Sequence, residues 1–139
     1  IVDVRLLNSK GQQLSWIVGG EKVEMLIRVK VLVPISSIII GFFFKDRLGQ
    51  VLFGDNTYLA YRSNPFSVSV GELVTSRFSF QMPILPRGTY AIDVAVADGT
   101  YEDHVQHQWI HDAFTLESHA SSTSTGLIGI PFDRIILEK

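Results

Sequence analysis

One stretch of this sequence limits the fold more than any other. Over residues 23–33 the side chains alternate. Val23, Met25, Ile27, Val29, Val31 and Val33 fall on one face of an extended chain, and Glu24, Leu26, Arg28, Lys30 and Leu32 on the other. A period of two is that of a strand with one face buried and one partly wet, the habit of antiparallel sheets. Pro34 ends the strand, because proline has no N–H to give a ladder. Fourteen Ile and fourteen Val against six Ala carry the same preference through the whole chain and rule out a helical bundle.

Further strands are read between turn signals. Residues 1–7 form a first strand, ended by Asn8-Ser9-Lys10-Gly11, and residues 14–18 a short second one, ended by Gly19-Gly20. Residues 37–45 are almost wholly apolar, as in a central strand. Asp46-Arg47-Leu48-Gly49 turns the chain into residues 50–53, and Gly54-Asp55-Asn56-Thr57 breaks that pairing. Residues 58–69 form a mixed connection. In residues 73–82 the spacing puts Phe78, Phe80 and Met82 inward. In residues 89–97 it puts Tyr90, Ile92, Val94 and Val96 inward and leaves Ala91, Asp93, Ala95 and Ala97 outward. After a turn at Asp98-Gly99-Thr100, residues 104–118 form the last long strand, with a change of parity near Trp109 that predicts a bulge. About eight such strands predict an all-β, two-sheet antiparallel sandwich of Ig-like or jelly-roll topology, in one domain over residues 1–139.

Residues 118–126 are small and polar and read as a hinge linker. Residues 127–137 are again apolar and read as a strand without a local partner. That strand is expected either to exchange between the subunits of a homodimer or to fold back on its own chain. The chain starts at Ile1 without Met or a signal-peptide pattern, and is expected to be a piece of a longer protein. The apolar run over residues 31–44 is too short to span a bilayer. With a net charge of −2, no nucleic-acid partner is expected, and without Cys no disulfide can form.

Side chains that could carry chemistry are few. His107 and His111 on a strand lie about 13 Å apart at roughly 3.3 Å per residue, too far for one metal, so no metal site is expected. Asp98, Glu102 and Asp103 crowd one hairpin end, where carboxylates are more often solvated than catalytic. No Gly-x-Ser-x-Gly elbow and no phosphate-binding glycine loop occurs, so no catalytic residue is assigned and the domain itself is not expected to be an enzyme. A sugar surface needs polar side chains for hydroxyls and flat aromatic faces for the C–H side of the ring. The outward small residues around Asp93 would leave a shallow groove. If residues 37–45 and 104–118 flank that strand, the groove also gains Phe43 and either Gln106 and Gln108 or His107 and Trp109. Tyr58, Tyr61 and Arg62 form a second candidate surface. The candidate carbohydrate-binding residues are Phe43, Asp93, Gln106, Gln108, Trp109, Tyr61 and Arg62.

The run Gly41-Phe42-Phe43-Phe44-Lys45-Asp46-Arg47-Leu48-Gly49-Gln50-Val51-Leu52-Phe53-Gly54-Asp55-Asn56-Thr57 is followed by Leu85-Pro86-Arg87-Gly88-Thr89-Tyr90 and Trp109-Ile110-His111-Asp112-Ala113-Phe114. In that order and spacing the three resemble the C-terminal domain of the ATP-binding subunit of ABC transporters that export O-antigen polysaccharide, the Wzt type. The likeness covers residues 2–116. It implies a noncatalytic carbohydrate-binding domain, without a cofactor of its own, that recognises the nonreducing terminus of a lipid-linked O-antigen polysaccharide and commits the chain to export. The implied partners are that polysaccharide terminus, a second copy in a homodimer, the nucleotide-binding domain of the same protein and the membrane subunit of the transporter. The implied place is the cytoplasmic face of a Gram-negative inner membrane. Within the motif, Gly49 and Gly54 are read as allowing positive φ at turns, and Asn56 and Thr57 as hydrogen-bonding loop backbone. The alternative is a dimerisation or protein-interaction sandwich with no glycan site.

Overall fold

The computed structural model describes residues 1–100, 102–120 and 126–139. Its elements in chain order are β1 (Asp3–Asn8), β2 (Trp16–Ile17), β3 (Lys22–Lys30), β4 (Ile38–Asp46), β5 (Val51–Asn56), α1 (Tyr58–Tyr61), β6 (Leu73–Gln81), β7 (Gly88–Gly99) and β8 (His104–Ser118). They form a three-stranded sheet in the order β1-β3-β6 and a five-stranded sheet in the order β2-β8-β7-β4-β5. All pairings are antiparallel except that of β2 with β8. This is the two-sheet sandwich that the alternation predicts.

The two inner faces close on one another as the parity of the strands requires. Val23, Met25, Ile27 and Val29 of β3 meet Ile40, Phe42 and Phe44 of β4 and Tyr90, Ile92, Val94 and Val96 of β7, all of them buried. At about 25 cal/mol per Å² of apolar surface removed from water, this continuous core dominates the stability. Phe42 sits among Phe53, Phe78 and Phe80, so aromatic packing joins the two sheets along the β5 and β6 side.

Several sequence expectations shift by a few residues. β3 stops at Lys30, and Leu32 and Val33 are exposed. Val31 instead donates its N–H to Glu72 and accepts from Gly71, which ends the strand in a loop three residues before the proline. Gly54-Asp55-Asn56 does not break the pairing of β5. Gly54 lies opposite Phe43 and Asn56 opposite Gly41. Only Gly49 has the positive φ, 83°. Gly54 is required for a different reason, since a Cβ there would stand 2.3 Å from the Phe42 carbonyl oxygen.

The start of the expected hinge is anchored. Ser118 and Ala120 are buried, and the Ser118 hydroxyl donates to the Leu85 carbonyl at 2.7 Å. Residues 121–125 of that hinge lie outside the described residues. Residues 127–137 do not form a strand. Gly129 pairs in a single bridge with Ile84, while Leu127, Ile130, Phe132, Ile135, Ile136 and Leu137 are exposed.

Candidate functional site

β7 lies between β4 and β8, and its outward side chains set the floor of the exposed sheet face. The register stacks that face in rows: Ile39, Ala97 and Gln106; then Gly41, Ala95 and Trp109; then Phe43 beside Asp93; then Lys45, Ala91 and Thr115. Glycine and alanine at the centre of the first two rows leave a depression of about 370 Å³. Asp55 and Asn56 of β5 bound one side of it, and His104 and Gln106 of β8 the other. A volume above about 300 Å³ is in the range of small-molecule sites.

Two bulges in β8 decide which side chains reach this groove. One extra residue, His107, falls between the Val96–Gln108 and Ala97–Gln106 pairs. Between the Val94–Ile110 and Ile92–Phe114 pairs, residues 111–113 stand opposite Asp93 alone. The first bulge reverses parity, so Gln106 and Trp109 share the outward face. Neither pair expected from simple alternation does so. Gln108 instead accepts a hydrogen bond from the N-terminal amine of Ile1 and lies off the groove. Gln106 donates through its amide nitrogen to the carbonyls of Val96 and Gln108, at 3.1 and 3.0 Å.

Phe43 leans from β4 and Trp109 from β8 until their rings stack, with centroids 5.3 Å apart and planes 18° from parallel. The stacked pair forms a bar across β7. The groove lies on one side of it and a charged cluster on the other. The His111 ring lies beside Trp109, with centroids 5.7 Å apart and planes tilted by 37°.

Asp93 holds that cluster together and is 3% exposed. Lys45 Nζ donates to its Oδ1 at 2.8 Å and reaches Asp112 at 3.0 Å. The backbone N–H of Asp112 donates to Oδ1 at 2.8 Å, and His111 Nδ1 lies 3.1 Å from Oδ2. Burial by itself would push the Asp93 carboxyl up, but the hydrogen bonds from Lys45, Asp112 and His111 outweigh it and hold the group below the usual carboxylate range. Hydrogen bonds to Asp93 and Asp112 raise Lys45 in turn. Asp112 adopts φ 52°, a left-handed conformation that the bulge imposes. Asp93 is therefore neither a solvated residue nor an open sugar ligand, because both of its oxygens are already engaged. Alternation could not show this, though a lysine on an apolar strand facing the same side as Asp93 was the available signal.

Tyr61 and Arg62 stand apart from the stacked rings, at the end of α1 and just beyond it. They border a smaller depression of about 70 Å³ together with Tyr58, Gly99 and Thr100. The hairpin carboxylate Asp98 is structural: its Oδ1 accepts from the Ser37 N–H at 2.9 Å. Among the described residues, no three His, Asp or Glu side chains gather as metal ligands would, and no helix is long and apolar enough to cross a membrane.

A sequence-family model described as the Wzt C-terminal domain matches residues 1–130. A solved structure titled "Crystal structure of the C-terminal domain of wzt" shares the fold, with a TM-score of 0.85 and 21% identity over 99% of this chain and 83% of that one. No curated protein matches the chain.

Proposed function

The chain belongs to the Wzt C-terminal domain family, and from that premise we propose that the groove beside the Phe43–Trp109 bar binds the end of an O-antigen polysaccharide. Membership supports a noncatalytic, carbohydrate-binding role in O-antigen ABC transport in general. The finer reading, recognition of the nonreducing terminus, draws on one observation: the aromatic bar crosses the strand direction and blocks the groove at the row of Asp93. A polymer laid along the groove meets that wall with its end. The wall also presents the apolar edges of the two stacked rings to sugar C–H groups, and the floor of Gly41, Ala95 and Ala97 lets a pyranose ring approach closely.

In this reading the terminal sugar packs against the exposed edge of Trp109, and Gln106 meets its hydroxyls. Each hydrogen bond nets only about 1 kcal/mol, so a single site is weak and two copies in a homodimer add avidity. Bound glycan then signals completion to the nucleotide-binding domain of the same protein and to the membrane subunit, at the cytoplasmic face of the inner membrane. The experiment is calorimetric titration of the domain with the complete, end-modified polysaccharide. Binding is expected, with a loss of up to about tenfold on Trp109→Ala, the scale of one aromatic contact. No heat at millimolar ligand, or undiminished binding by a folded Trp109→Ala variant, would sink the assignment.

A further inference from the structure

The depression beside Tyr61 and Arg62 continues the groove. Ile39 and Thr100 line both, one from the floor of β4 and one from the hairpin that follows β7. The bar closes the groove at its opposite end, so a chain whose end rests against Phe43 and Trp109 leaves across Ile39 and Thr100. We infer that the Tyr61–Arg62 depression is a second carbohydrate subsite, which takes the sugar residue behind the terminal one. This inference rests on the glycan reading above.

Both flanks of the subsite are held by the fold before any ligand arrives. On the hairpin side, the Ser37 carbonyl accepts from the Gly99 N–H at 3.0 Å, while its own N–H donates to Asp98 Oδ1 and its hydroxyl to the Gly99 carbonyl at 3.2 Å. On the helix side, Thr57 pairs with Ile40 twice, the Ile40 N–H donating to its hydroxyl and its own N–H to the Ile40 carbonyl, each at 3.0 Å. The Tyr58 N–H donates to Asn56 Oδ1 at 3.0 Å, which ties the start of α1 to the wall of the groove. A preformed site avoids ordering costs on binding. The two depressions also differ in chemistry. Apolar small residues and aromatic edges dominate the groove. The second site offers the exposed guanidinium of Arg62 and the half-exposed ring of Tyr61. A fork of N–H donors suits adjacent hydroxyls, or an acidic substituent, on the penultimate sugar.

The test uses oligosaccharides of one, two and three sugar residues that carry the nonreducing end of the O-polysaccharide of the organism from which the chain comes. Affinity for the unaltered protein is expected to rise about tenfold from one residue to two, the worth of one or two well-made hydrogen bonds. Arg62→Ala, at an exposed position, and Tyr61→Ala, whose half-exposed ring packs edge-on against Phe66, should abolish that rise and leave one-residue binding unchanged, with circular dichroism checking that both variants fold. Trp109→Ala should weaken every length alike. If Tyr61→Ala and Arg62→Ala bind all lengths as the parent does while Trp109→Ala weakens them, the second subsite is overturned and the glycan reading stands. If no length binds at millimolar concentration, both fall.

Discussion

Asp93 shows how one residue can shape a surface that it does not itself present. Its carboxylate collects Lys45, the Asp112 N–H and His111 under the second bulge of β8, beside the stacked Phe43 and Trp109 rings. Removing it would strand the largely covered ammonium of Lys45 and release the bulge. Asp93→Ala is expected to cost about 2–4 kcal/mol in urea unfolding, the range for a charged hydrogen-bond network that is only partly sealed from water. Asp112→Gly should stay within about 1 kcal/mol of the parent. Glycine relieves the left-handed strain at φ 52°, worth roughly 1–2 kcal/mol, while the exposed pair with Lys45 contributes about 0–1. The pH dependence has a fixed sign. The folded carboxyl of Asp93 is held below its unfolded value, so its stabilisation is complete above the ordinary aspartate pKa of about 3.9 and is lost as pH falls through the folded value. The stability gap between the parent and Asp93→Asn should therefore be flat near neutrality and close in acid. A gap that widens below pH 4 would contradict the network as described.

At the scale of elements, β4 and β5 test the difference between two kinds of glycine. Gly49 turns the hairpin at φ 83° with nothing within 4 Å of an added Cβ, so Gly49→Ala should cost only about 1 kcal/mol. A Cβ at Gly54 would collide with the Phe42 carbonyl, and backbone cannot step aside as a side-chain tip can. Gly54→Ala should cost more than about 2 kcal/mol and raise amide exchange across β5, while an equal cost at the two positions would refute this account. The strands themselves were legible wherever one face is buried: β6 and β7 follow their alternation to within two residues, and β3 does so as far as Lys30. β5 was read too short because Gly54-Asp55-Asn56 looks like a turn, and only the neighbouring strand shows that the glycine serves close approach. The site was half legible for a related reason. Phe43, Gln106 and Trp109 reach one groove, yet Gln108 does not: the change of parity near Trp109 marked a bulge, but only the ladder with β7 shows that its extra residue is His107. Asp93 was placed correctly in register, but its burial depends on Lys45 from β4 and on the residues 111–113 that cover it.

For the whole molecule, the open question lies in residues 127–137. They carry Leu127, Ile130, Phe132, Ile135, Ile136 and Leu137, all exposed, and meet the sandwich through the Ile84–Gly129 bridge and the half-buried Ile128. So much apolar surface on one segment is costly in water and calls for a partner. The sandwich has edges to offer: β6 ends the three-stranded sheet, and on its side away from β7, among the described residues, β8 pairs only through Glu117 and Ser118 with β2. A second copy of the same segment meets that need reciprocally, as a two-fold exchange requires. Light scattering on the full chain at tens of micromolar is expected to give a dimer, and a chain ending at Gly126 a folded monomer. Phe132→Asp with Ile135→Asp should do the same without shortening the chain, since charges at two anchoring positions oppose burial in any edge. Dimers that survive both changes would move the interface elsewhere on the sandwich. A monomeric parent would remove the exchange, and with it the avidity proposed for two weak grooves.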